Sequence, residues 1–207
     1  LFEDSRKISN RHQYLDISVF NNSSEVLQLI YDENFLHIAN EYLGAKPILD
    51  IVTMWWSNVL NMDNEELNTA FKGAAAQMFH FDMDRLKFLK FFVYLTDVTT
   101  ETGPHVYVRD THKKVPAYVT HDGRLSDELI AQHDKKNTIE ITGSAGTIIA
   151  VDTRGLHKGK ELEKGERLIF QIEFTNSLFG NPDVQKVTKK LKFNAKPNYR
   201  SSYELFI

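Results

Sequence analysis

Apolar side chains recur at helical spacing once, early in the chain, and at strand spacing from there on. Leu27, Tyr31, Phe35, Ile38 and Tyr42 fall three or four positions apart, which predicts one amphipathic helix over 24–43. Ser23 or Ser24 can cap its start, Gly44 fits just past its end, and Pro47 stands beyond. Segments 48–60, 74–83, 87–97, 104–109, 137–142, 146–152 and 167–176 are rich in β-branched and aromatic residues, with Gly, Asn, Asp and Pro between them. A short helical pattern at 126–133 is the one interruption. Helix first and many strands afterwards, within one domain, predict a mainly β jelly roll or sandwich with helical cover outside. The expected organisation is a helical N-terminal cover at 1–46, a core at about 47–176 and a C-terminal extension at 177–207. No internal repeat or low-complexity segment is visible.

Two strand segments carry more than packing. In 167–176, Leu168, Phe170, Ile172 and Phe174 share one face, and Arg167, Gln171 and Glu173 share the other. Such a strand is either solvent-exposed or lines a polar pocket, and in a pocket the arginine implies an anionic ligand. In 77–83, His80 and Asp82 point to the same side of a strand, while Phe79, Phe81 and Met83 need cover that the 24–43 helix can supply. An imidazole and a carboxylate so placed can hold one metal ion, or simply hydrogen-bond to each other. His157 follows a buried strand and a glycine-punctuated turn, Asp152 to Gly159. The remaining histidines read differently: His12, His37, His121 and His133 as surface or capping residues, His105 and His112 as surface residues or residues remote from a metal.

Composition narrows the chemistry. The 207 residues are 42% hydrophobic and 26% charged, as in ordinary soluble domains, and no cysteine is present. A disulfide scaffold, a thiol nucleophile, an iron–sulfur cluster and a Cys-type zinc site are thereby excluded. The net charge of −3 argues against a nucleic-acid partner. Lys186, Lys189, Lys190, Lys192, Lys196 and Arg200 form a basic run that reads as a solvated face or as cover for an acidic substrate group. The best apolar stretch, 88–95, is broken by Lys90 and falls short of the roughly 18 residues of a membrane span. The expectation is a soluble, cytoplasmic protein with no membrane partner. The missing N-terminal Met marks the chain as an expected portion of a longer one, whose leader, if any, is out of view.

Taken in order, His80-X-Asp82, the run from Phe88 to Asp97, Thr102-Gly103-Pro104-His105, and then Gly146, Asp152, His157 and Arg167 resemble the phytanoyl-CoA dioxygenase-like branch of the iron(II)/2-oxoglutarate-dependent oxygenases. The resemblance covers 77–175, roughly half of the chain. It implies a double-stranded β-helix (a cupin-like jelly roll) with His80, Asp82 and His157 as iron ligands and catalytic residues. Arg167 would bind the far carboxylate of 2-oxoglutarate. A facial triad leaves open positions on the metal for the 2-oxo acid and O₂. The implied reaction is hydroxylation of a C–H bond with release of succinate and CO₂. Related halogenases carry a small residue where this chain has Asp82. One departure stands out: Val108, Arg109, Asp110, Thr111 and His112 replace the family's frequent Val-Pro-Gly-Ser-His, at a turn that shapes the rim.

Lys90, Phe92, Tyr94 and Thr96 share a strand face, so Lys90 either snorkels to solvent or meets the cofactor or an acidic substrate. Trp55 and Trp56 are expected to pack, one on each side of their strand. Gln171, Glu173 and Lys90 favour a small, polar or anionic substrate over a long lipid. Two rivals remain open on residues alone: a zinc-dependent hydrolase or isomerase on the same triad, and a non-catalytic jelly-roll ligand-binding module. The oligomeric state is not legible.

Overall fold

The computed structural model describes residues 23–59, 72–121, 123–177 and 179, with short strands at 12–14 and 205–206. The basic run expected near the C-terminus lies outside the described residues. Among the described residues, nine strands form two antiparallel-dominated sheets. The larger has the order β1 (His12–Tyr14), β2 (Ile48–Asn58), β8 (Glu166–Thr175), β3 (Phe88–Tyr94), β6 (Ile148–Val151) and β9 (Leu205–Phe206). The smaller runs β5 (Thr138–Ile141), β4 (His105–Val108) and β7 (His157–Gly159). The mainly β jelly roll predicted above is the fold observed. No helix among the described residues is long and apolar enough to cross a membrane.

Alternation along β8 decides where each layer goes. Its apolar side, Phe170, Ile172 and Phe174, joins Val52, Met54, Leu89, Phe91 and Val93 into an outer core. Leu27, Ile30, Phe35, Ala39 and Leu43 cover that core, and Phe35 stacks on Phe91 at 4.7 Å between ring centroids. Each such side chain removed from water contributes roughly 1.5–3 kcal/mol. The opposite faces of the same strands turn inward. Trp55, Phe92, Tyr94, Val151 and Ile169 meet Tyr107 and Ile141 of the smaller sheet. Trp55 is thus buried inside the barrel and Trp56 is half-buried on the other side.

Three expectations change. The single helix is two, α1 (Ser24–Ile30) and α2 (Glu33–Leu43), because Asp32 leaves the helical region (φ −60°, ψ 128°) and accepts from Asn34 N as an N-cap. The buried face shifts accordingly, and Tyr31, Ile38 and Tyr42 flank the core instead of filling it. Secondly, 74–83 is no regular strand; within it only Phe79 and His80 form bridges, to Leu125 and His157. Both helices are spent on the larger sheet, so Phe79 is covered by Val106, Val108, Leu125, Ile130 and Leu156, next to α3 (Asp127–Asp134). Met83 is left 77% exposed. Thirdly, the stretch expected to be helical cover also contains β1, paired with β2.

Candidate metal centre

His80 and His157 face each other across one bridge, each amide donating to the other's carbonyl at 3.0 Å. Asp82 is set by its own amide, which donates to Thr153 O at 2.8 Å. The loop 152–156 therefore holds both the aspartate and the second histidine. Each imidazole donates from Nδ1 to a carbonyl that can only accept, His80 to Met78 O and His157 to Gly155 O, both at 2.9 Å. This assigns the tautomer and leaves both Nε2 lone pairs free for a ligand. Those Nε2 atoms each lie 3.4 Å from an oxygen of Asp82, one on Oδ1 and the other on Oδ2. Ligand atoms of the three residues all lie within 4.8 Å of one another, and among the described residues they form the one such group. Burial, then the neighbouring His157, pushes His80 down, toward the neutral form a metal needs. For Asp82, burial opposes ionisation, and the charge of Lys90 is among the influences that outweigh it and hold the carboxyl well below its usual range.

Lys90 reaches Asp82 rather than solvent. Its Nζ lies 2.7 Å from Asp82 Oδ2, 2.8 Å from Asp84 Oδ2 and 3.4 Å from Glu173 Oε2. Its cross-strand partner on β8 is Glu173, which fixes the last contact. Burial would lower Lys90, yet Asp82, Glu173 and Asp84 together raise it. Burial pushes Glu173 up to about 8, against the pull of Lys90. Asp84 has no counterpart in the sequence reading, although it lies one strand period beyond Asp82.

Arg167 sits deeper in the barrel, only 2% exposed. Among the described residues its side chain makes one hydrogen bond, from Nη2 to Ser57 Oγ at 3.1 Å, and Nε and Nη1 have no acceptor there. Burial lowers the guanidinium to about 10, which leaves it charged at neutral pH. Gly159 opens space beside it, since a Cβ there would sit 3.5 Å from Arg167 Nη2. His105 is buried on the same inner surface, with its Nε2 also unpartnered. Burial, then the His157 and Arg167 charges, holds that ring well below its ordinary range. Orphaned donors this deep are rare unless something external satisfies them.

Outside the triad a cavity of about 760 Å³ opens against Asp82. Phe81, Met83, Leu86, Val115, Val119 and Phe179 line most of it, and His121 and Arg154 stand at its edge. The sequence marks His121 as a surface or capping residue, because 113–124 has no period to orient it. Arg154 is already engaged, donating to Asp152, Tyr42 and Leu86 O. Gln171 and Glu173 point into the barrel instead, and Glu173 is turned to Lys90. In the turn that departs from the family pattern, Asp110 stands where glycine is frequent and takes φ 64°. Thr111 Oγ1 then donates to Val108 O and accepts from Leu156 N, bracing the loop that carries His157. His112 lies 3.2 Å from Tyr107 Oη, and His133 stacks on Tyr118, both away from the triad.

The phytanoyl-CoA dioxygenase (PhyH) family profile matches residues 4–163. The chain belongs to that family; the matched region ends just before Arg167. Solved structures of similar fold include the non-heme alpha-ketoglutarate-dependent carbocyclase SnoK from nogalamycin biosynthesis, at 15% identity and a TM-score of 0.58, covering 80% of this chain and 64% of SnoK. EctD from S. alaskensis with bound Fe is 18% identical with a TM-score of 0.52, over 80% of this chain and 56% of EctD. HygX from Streptomyces hygroscopicus, with nickel and 2-oxoglutarate bound, is 16% identical with a TM-score of 0.53, over 82% of this chain and 71% of HygX. This chain thus spans less than two thirds of SnoK and of EctD. No curated protein sequence matches it.

Proposed function

We propose that this member of the phytanoyl-CoA dioxygenase family is an iron(II)- and 2-oxoglutarate-dependent dioxygenase that hydroxylates a C–H bond of a small molecule. The observation that carries the reading is the pairing of two features, one built from residues 80, 82 and 157 and the other at residue 167, inside one barrel. One is a His–Asp–His set with both Nε2 atoms free; the other is a buried arginine with two unused N–H groups. The family supplies the identity of what fills them. A zinc hydrolase needs the first feature and has no use for the second.

His80, Asp82 and His157 would hold the iron, with imidazoles oriented by Met78 O and Gly155 O. Arg167 would hold the far carboxylate of 2-oxoglutarate through charge-assisted bonds from Nε and Nη1. When bound, this pair supplies an oxidant from O₂, with succinate and CO₂ as by-products. The protein's own part is orientation and exclusion of water. Lys90 fixes Asp82 from behind, so the carboxylate does not rotate away from the imidazoles. Trp55, Phe92 and Ile169 keep the inner barrel dry.

The cavity lining bears on the substrate. Gln171, Glu173 and Lys90, which favoured a polar or anionic molecule, lie inside the barrel, while the space beside Asp82 is mainly apolar. A substrate presenting an apolar face to the metal, with a polar group near His121, fits that lining better. The test is turnover: with iron(II), 2-oxoglutarate and O₂, succinate release rises on adding such a compound and stays flat with small polar acids. Zinc-dependent hydrolysis without succinate release would replace this reading.

A further inference from the structure

His105 faces the same interior as Arg167, and the backbone dictates this. In the register of β4 with β7, His105 lies opposite Gly159 and Tyr107 opposite His157. Directly opposed residues in an antiparallel pair share a face. Val106 and Val108 therefore go to the outer cluster with Phe79 and Leu125, while Tyr107 packs in the inner one. The rings agree: His105 lies 5.1 Å from Phe92 of the larger sheet and 5.5 Å from His157, centroid to centroid. Gly159 has no side chain, and a Cβ added there would meet Arg167 Nη2 at 3.5 Å. His105, the glycine gap and Arg167 thus stand at one level of the barrel, one strand period beyond the His157 level.

The geometry points to His105 as a second binding residue for the dicarboxylate, donating from Nε2 to the carboxylate that Arg167 holds. The inference rests on the function proposed above. Three buried nitrogens lack acceptors here, His105 Nε2 and Arg167 Nε and Nη1. A carboxylate offers about four lone-pair sites and can satisfy all three. Tyr94 Oη is not a competitor, since it already donates to Ile141 O and accepts from His105 N. The neutral ring in its Nε2–H tautomer donates from Nε2 as the protonated ring does, so the contact does not need a charged ring.

The test separates the far carboxylate from the chelating end. Anaerobic protein with iron(II) is titrated with 2-oxoglutarate, and separately with 2-oxobutyrate, which lacks the far carboxylate, following the visible band of the chelate. His105→Leu, which fills the space without a donor, should weaken 2-oxoglutarate binding about tenfold or more. It should leave 2-oxobutyrate unchanged within about twofold. His105→Gln, which keeps a donor, should recover much of the loss, and thermal melting checks that both variants fold. Wild-type binding in His105→Leu, or an equal loss for both acids, overturns the assignment and leaves the proposed function standing. Absence of any band in the wild-type protein overturns both.

Discussion

Lys90 and Arg167 are both buried cations on the inner face of the larger sheet, on the neighbouring strands β3 and β8, and their surroundings are opposite. Lys90 is held by three carboxylates, two of them within 2.8 Å. Arg167 has a single serine hydroxyl and two N–H groups without acceptors. A buried charge costs several kcal/mol to desolvate, so each needs compensation. The protein provides it for Lys90 internally and leaves it outstanding for Arg167. One cation therefore acts on the fold and on Asp82. The other acts on something that arrives.

Substitution should separate the two. Arg167→Leu is expected to weaken 2-oxoglutarate binding more than about a hundredfold while metal binding and the melting temperature hold, because no internal ion pair is lost. Isothermal titration with manganese(II) in place of iron checks this; unchanged affinity would place the dicarboxylate elsewhere. Lys90→Met should show the reverse pattern. The carboxylates of Asp82 and Asp84 lose their cation, which costs about 2–4 kcal/mol of stability by denaturant melts, and metal affinity falls about tenfold as Asp82 loses its support. If Lys90→Met spares stability and instead abolishes 2-oxoglutarate binding, Lys90 belongs with Arg167 and the contrast collapses.

The smallest effect is expected from Glu173. Its folded value near 8 lies above the ordinary 4.5. Folding therefore favours the protonated form: this contribution is fully present below about pH 4.5 and is lost as pH rises through about 8. Glu173→Gln should then gain stability relative to wild type as pH rises from about 5 to about 9, read as a pH-dependent difference between denaturant melts. A difference that does not change with pH would mean that Lys90 keeps Glu173 ionised throughout.

Much of this architecture was legible in the sequence where a period ran unbroken. Alternation in β8 separated Phe170, Ile172 and Phe174 from Arg167, Gln171 and Glu173, and the structure sends the two sets to opposite layers. The order of His80-X-Asp82, the run from Phe88 to Asp97, Thr102 to His105, and Gly146, Asp152, His157 and Arg167 carried the resemblance. What was not legible depends on contacts far apart in the chain. Asp32 carries a capping side chain, but the helical spacing of Leu27 and Phe35 ran through it. Phe79 looked as if it needed the helices, and only the fold shows that those cover the other sheet. Lys90 could not be assigned from its face alone, because Asp82, Asp84 and Glu173 come from two other segments. The rim at Val115, Val119 and His121 belongs to an aperiodic loop, whose placement only tertiary packing determines.

The most direct measurement is anaerobic absorption spectroscopy of the protein with iron(II) and 2-oxoglutarate. A weak visible charge-transfer band is expected in the wild type and absent in His157→Ala, since one imidazole Nε2 of the triad is removed. No band in the wild type, or an undiminished band in His157→Ala, would contradict the assignment of His80, Asp82 and His157 as the metal site.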